Sequence, residues 1–394
     1  NKIKYKGIEI FIFAIILLII WVVVSLIKNQ ILAQNVAGTQ TGVKRTYFNI
    51  FNNILIFFTT IIFFSTQYYK ISVEKLIKTI LYVTVVIGFV RIFTYHFGLP
   101  TPLLTGFFAY NTGTMQMGGG EIAQRFAGLD YATAIGLPAL FALYIYKNKL
   151  NFFILITFLI FLFLSGGRTT MIGATVAVIV FSILFLPKNL IYLIVAAGIF
   201  FTIAMIILPQ GFLEGQATRL STLHQSGFMG VDVWRGTAWY MFLKSFLANP
   251  IFGKGIGDYY GFIYSPVPLT EQFARAQLFS GGHGCYFSLL GIFGLGGIIY
   301  FLIMVFGGII LSFRKIKEYL DIDRDKTAIA IFCFIQLAIL SFVFITGYNG
   351  TANVTFLFYL VGLICSIRVM ENNPRFNQGE NEEYRLSFNQ REVE

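Results

Sequence analysis

Charge is what this sequence has least of. Only 12% of its 394 residues are Asp, Glu, Lys or Arg, about half the share of a soluble domain, which excludes a water-soluble globular body for most of the chain. There are three cysteines, Cys285, Cys333 and Cys365, odd in number and widely spaced. They encode neither a disulfide framework nor a metal knuckle and read as small apolar packing residues. There are three histidines, no His-Glu-x-x-His, and no close carboxylate cluster on the face that carries the large loop, where Asp130, Asp232 and Asp258 are scattered; no metal and no other cofactor is expected. The alternating pattern of an outer-membrane barrel is missing, as is any repeat at a solenoid period. The run Gly253-Lys254-Gly255-Ile256-Gly257 lacks the Gly-Lys-Ser/Thr of a phosphate loop.

What is present is apolar. Hydrophobic residues make up 57% of the chain, in runs long enough to cross a bilayer, which needs roughly 20 residues per helix. The runs predict spans near 8–27, 47–66, 77–97, 131–147, 149–165, 170–187, 189–208, 285–312, 327–346 and 354–370. The fold class is therefore an all-α integral membrane protein of about ten transmembrane helices. Residues 1–370 form a single polytopic domain with one large loop at 209–284, and 371–394 form a polar tail expected to be disordered. A short interfacial helix is expected around 237–247. The first run is too long for a signal-peptide core and reads as a span. The first residue is Asn, which leaves room for helices upstream.

The cations orient the spans. Lys2, Lys4 and Lys6, then Lys70, Lys75 and Lys78, then Lys147 and Lys149, Lys188, and Arg314, Lys315 and Lys317 all fall on one face when the spans are counted. The positive-inside rule makes that face cytoplasmic. Lys28, Lys44 and Arg45 fall between the first two spans on the opposite face and disagree. The net charge of +11 belongs to these loops and to anionic lipid, not to nucleic acid. The outer face, on the side away from the cytosol, then receives 98–130, the break at Arg168, 209–284 and Tyr348-Asn349-Gly350.

Three polar residues interrupt this pattern in non-helical breaks on the outer face: Arg168 in Ser165-Gly166-Gly167-Arg168, Arg235 ahead of Trp239, and His283 in Gly281-Gly282-His283-Gly284-Cys285-Tyr286. An arginine in hydrocarbon costs at least ~2.5 kcal/mol, so Arg168 is either a snorkelling turn residue or a functional cation. Arg235 by itself reads as a solvated loop cation, and His283 as a loop histidine or as a base, since a neutral imidazole takes a proton from a hydroxyl near neutral pH. Arg125 is either a third anion contact or an interface anchor. Arg91 reads as a snorkelling residue near the outer end of its span, and His96 and His224 as bystanders. Guanidinium groups suit phosphate because their planar fork binds its oxygens in pairs and stays charged.

The order of these elements resembles the O-antigen ligase and O-antigen polymerase superfamily. The resemblance rests on Arg235 and Trp239, then Pro250, Gly253, Gly255 and Gly257, then His283 and Tyr286, then Gly294, Gly296 and Gly297, preceded by Arg125 with Gly128 and by the Ser-Gly-Gly-Arg element ending at Arg168. It departs at Gly284, Ile292 and Gly167, where the family usually carries Asn, Glu and Ser. The resemblance implies a multi-span glycosyltransferase with a large periplasmic loop, whose donor is a glycan on undecaprenyl diphosphate. It implies that Arg168, Arg235 and Arg125 hold the diphosphate, that His283 handles the acceptor hydroxyl, and that Trp239 and Tyr286 support them, without metal. The acceptor is another lipid-linked repeat in a polymerase, the reading leaned to, or lipid A–core in a ligase. A lipid-linked oligosaccharide flippase is the rival from another class; it predicts repeated halves and helices interrupted near mid-bilayer.

Overall fold

The computed structural model describes residues 7–32, 40–96, 115–116, 122–123, 129–165, 168–186, 198, 239, 242–244, 246–253, 285–346 and 351–371. Its helices are α1 (Glu9–Leu32), α2 (Gln40–Gln67), α3 (Val73–His96), α4 (Leu129–Lys147), α5 (Phe152–Ser165), α6 (Arg168–Phe185), α7 (Cys285–Leu302), α8 (Gly308–Tyr319), α9 (Arg324–Thr346) and α10 (Thr351–Glu371). A π turn, Ile303–Gly307, joins α7 to α8. The strands among the described residues are β1 (Met115–Gln116) and β2 (Ile122–Ala123), paired antiparallel. Among the described residues six helices are long and apolar enough to cross a membrane, and Glu9–Val24, Phe152–Ser165 and Thr169–Phe185 are shorter apolar helices. The span expected at 189–208 lies outside the described residues, apart from Gly198.

Helix α9 is the centre. Residues 326–337 are all buried, with α4, α6, α8 and α10 around it. Lipid offers apolar side chains no reason to seek one another, so close backbone approach and shape do the packing. A Cβ on Gly173 of α6 would come within 2.9 Å of the Phe342 Cβ and 3.1 Å of the Ile339 carbonyl oxygen on α9. Phe181 of α6 meets Phe141 of α4 at 5.6 Å and Phe334 of α9 at 6.4 Å between ring centroids. The outer helices show a one-sided stripe: on α1, Phe11, Ala14, Ile15 and Leu18 are buried while Ile12, Phe13, Ile16 and Ile19 are exposed, the spacing of one helical face.

One end of the bundle collects the cations. Tyr146, at the end of α4, donates to Asp325 Oδ1 at the start of α9 at 2.5 Å. Lys315 of α8 pairs with Glu371 of α10 at 2.5 Å, and Tyr319 and Arg368 donate to the same carboxylate at 2.6 Å. Glu371, assigned from the sequence to the polar tail, is thus the last residue of α10 and part of the bundle. Residues beyond it lie outside the described ones. Lys28 is on α1, and Lys44 and Arg45 are on α2, so these exceptions to the charge rule are borne by helices and not by a loop.

Two other expectations are corrected. Arg91 does not snorkel: it is 5% exposed on α3, held inside the protein. The run 285–312 is not one rod. Gly294 has φ 64° and ψ −150°, a conformation open to glycine and costly for any residue with a Cβ. It divides α7 into halves 285–293 and 295–302 that fold against each other. In a continuous helix Leu289 and Gly297 would be about 12 Å apart and Tyr286 and Phe301 about 22 Å. Here a Cβ on Gly297 would meet the Leu289 carbonyl oxygen at 2.8 Å, and the Tyr286 and Phe301 rings lie 5.3 Å apart. Apolar composition is the same for a rod and for a folded pair of halves, so periodicity could not separate them.

By contrast the Asn49, Asn52 and Asn53 cluster does not break α2. Asn53 is buried, and its Oδ1 accepts the Thr355 hydroxyl of α10 at 2.6 Å, which satisfies the polar group inside the membrane body.

Candidate functional site

The two glycine-rich elements lock into each other through their backbones. The first half of α7 ends at Gly294, and Leu295 begins the second half with an N–H that has lost its helical acceptor. That N–H donates to the Pro250 carbonyl at 2.9 Å. The turn carrying Pro250 is itself closed by the Gly253 N–H donating to the Asn249 carbonyl at 2.8 Å, with Gly253 at φ 62°. A Cβ on Gly294 would sit 2.5 Å from the Ile251 carbonyl oxygen and 2.6 Å from that of Pro250, and one on Gly253 would strike the Ile292 carbonyl. Only hydrogen fits at either place. Gly296 and Gly297 make room for the Trp21 indole and for the first half of α7 respectively.

The segment after Arg235 docks beside this lock. Residues 239, 242–244 and 246–248 are helical, where the short interfacial helix was expected. Trp239 is buried and stacks on Phe287 at 4.9 Å and 19°. Phe242 packs against Gly291, where an added Cβ would lie 3.0 Å from the Phe242 Cα. Leu243 and Leu247 face outward. Trp239 therefore rests on the helix that opens two residues after His283.

Tyr286, next to Phe287, points the other way. Its hydroxyl donates to the Ser341 carbonyl of α9 at 3.2 Å. Gly173, five residues into α6, abuts Ile339 and Phe342 of the same stretch. Arg168 is the first residue of α6, and Cys285 the first of α7. Two helix starts, one opened by Arg168 and one following His283, thus come to the last two turns of α9. A helix N-terminus presents unsatisfied N–H donors and the positive end of its dipole, which favours an anion.

Of the residues singled out in the sequence, the structure packs Trp239 against Phe287 on the half-helix that also carries Tyr286, whose hydroxyl is directed to Ser341 on the other side. Arg168 is described as backbone only, at the head of α6. Arg125, Arg235 and His283 lie outside the described residues, as does most of 209–284. Sequence reading missed Trp21 and Ser341. Ser341 contributes a backbone carbonyl, which no sequence reveals. Trp21 is one of three tryptophans, but near a span end it reads as an interface anchor.

Fold and site together define a polytopic helical membrane protein with motif glycines at an interlocked break. Residues 153–302 match the sequence model of a family described as O-antigen ligase. The resemblance to the O-antigen ligase and polymerase superfamily is borne out over that segment. The segment runs from α5 through α7, and so contains Arg168, Arg235, Trp239, His283 and every glycine of the interlock. Arg125 lies before it. No curated protein matches the chain. The family supports a glycosyltransferase-type enzyme acting on lipid-linked glycans in a membrane.

Proposed function

We propose that this protein moves a glycan from undecaprenyl diphosphate to a sugar hydroxyl at the outer face of a bacterial cytoplasmic membrane, as a polymerase of lipid-linked repeats. The observation that carries the reading is the meeting of the Arg168 helix start and the Tyr286 half-helix on one stretch of α9. In this reading Arg168 and Arg235, with Arg125, hold the donor diphosphate. His283 takes the proton of the acceptor hydroxyl as its oxygen bonds to the anomeric carbon. The bond from that carbon to the phosphate oxygen breaks on the opposite side, its electron pair leaves with the diphosphate, and the configuration inverts. Arginines stabilise the departing charge because it grows as the bond breaks, in a site closed to water. Trp239 and Tyr286 support the site by fixing the half-helix through Phe287 and Ser341.

Purified protein given a synthetic lipid-diphosphate glycan is expected to lengthen it. His283→Ala should abolish turnover while donor binding persists, and Arg168→Ala and Arg235→Ala should each lower kcat/KM by about a hundredfold or more, the scale of losing one charge-stabilising donor. Full activity in all three variants would end the mechanism. The family description favours a second reading, a ligase with lipid A–core as acceptor. Supplying lipid A–core together with the lipid-linked repeat separates the two: transfer to the core only when it is present identifies the ligase. Movement of the intact donor across vesicles without transfer would identify a flippase instead.

A further inference from the structure

Helix α1 lies outside the segment that matches the family, yet one of its side chains reaches the interlock. The Trp21 indole Nε1–H donates to the Ile251 carbonyl at 3.1 Å, across 230 residues of sequence. Its ring lies 5.5 Å from that of Phe252 at 32° and occupies the space that a Cβ on Gly296 would take. Trp21 thus touches both partners of the lock, the turn at 249–253 and the second half of α7. The turn continues directly from the helical segment that places Trp239 on Phe287 and Phe242 on Gly291.

We propose that Trp21 is a positioning residue: it clamps the 249–253 turn against the Gly294 break and so sets the register between the Arg235–Trp239 element and the half-helix that follows His283. This rests on the glycosyl-transfer reading for its consequence in catalysis, but not for the clamp. The indole suits the place because its N–H ends a backbone carbonyl that a turn leaves unused, while its flat face fills a slot opened by the absent Gly296 side chain. An error of 1 Å in placing a catalytic group costs as much as a hundredfold in rate, so a single hydrogen bond at the lock is felt at the chemistry.

Two readouts test it. The first needs no substrate. The native cysteines are buried, so in Phe242→Cys protein a membrane-impermeant maleimide reports on residue 242. Trp21→Phe, which keeps a ring and removes the donor, should raise the labelling rate about threefold or more; an unchanged rate overturns the clamp. The second is kinetic. Trp21→Phe should lower kcat about tenfold with donor KM held within twofold and with the unfolding temperature little changed. In an Arg235→Lys background the same substitution should add less than a twofold further loss, because the group it places is already compromised. A full tenfold multiplicative loss there, or a kcat unchanged in the single variant, overturns the positioning role. Full activity of Arg235→Lys with a raised labelling rate would instead count against Arg235 as the group being placed, and leave the clamp standing.

Discussion

At the end where α4, α8 and α10 finish, side chains hold the helices together; at the end where α6 and α7 begin, backbones do. The first end uses Lys315, Arg368, Tyr319 and Glu371 in one network and Tyr146 with Asp325 in another. These charges are consumed by each other. The second end uses Gly294, Gly253 and the Pro250 carbonyl, with aromatic stacking around them. Such a joint fixes geometry without spending a cation. A charge network tolerates small shifts because long side chains adjust. A backbone lock does not, and rigid placement is what a reaction with several converging groups requires.

The sharpest way to break the comparison is at the lock. Gly294→Ala adds a Cβ at a left-handed residue and into the carbonyls of Ile251 and Pro250. It should cost about 3 kcal/mol or more, from a positive-φ backbone region essentially restricted to glycine and from overpacking together, read as loss of folded protein in detergent and of all transfer. Glu371→Gln at the opposite end removes the charge that Lys315 and Arg368 share. It should cost about 2 kcal/mol, read as a lower unfolding temperature, while kcat stays within twofold; a tenfold fall in kcat would erase the distinction between the ends. Tyr286→Phe loses one hydrogen bond to Ser341, worth about 1 kcal/mol, and should slow transfer severalfold by loosening the half-helix. Thr355→Val removes the hydroxyl that Asn53 accepts and should cost about 0.6 kcal/mol, the mean for such bonds between membrane helices, with no change in transfer.

Much of the helix inventory was legible. Apolar runs at 77–97, 327–346 and 354–370 correspond to α3, α9 and α10, because a chain in lipid must satisfy its backbone within each segment, and hydrophobic length then reports helix length. The runs at 131–147 and 149–165 are short for a span, so each helix would have to reach into its flanks to cross the bilayer. The first does, starting at Leu129 with α4, while the second does not, since α5 spans only Phe152–Ser165. The motif glycines were legible as positions but not as tasks: Gly294 was placed inside a span, and its reversal of the chain was not foreseen. Of the site, Trp239 and Tyr286 were legible as motif positions, but the sequence did not say that Trp239 stacks on Phe287 or that Tyr286 donates to Ser341. Trp21 could not have been found, since its partner Ile251 offers only a carbonyl.

The sequence by itself determined that this is a multi-helix membrane protein and where many of its helices run, because burial in lipid writes itself into composition and run length. Only the tertiary structure decided that 285–312 folds back at Gly294, that 249–253 locks onto that fold, and that Trp21 closes it. Those outcomes depend on backbone carbonyls and on the room a missing Cβ leaves, and neither has a signature along a single chain.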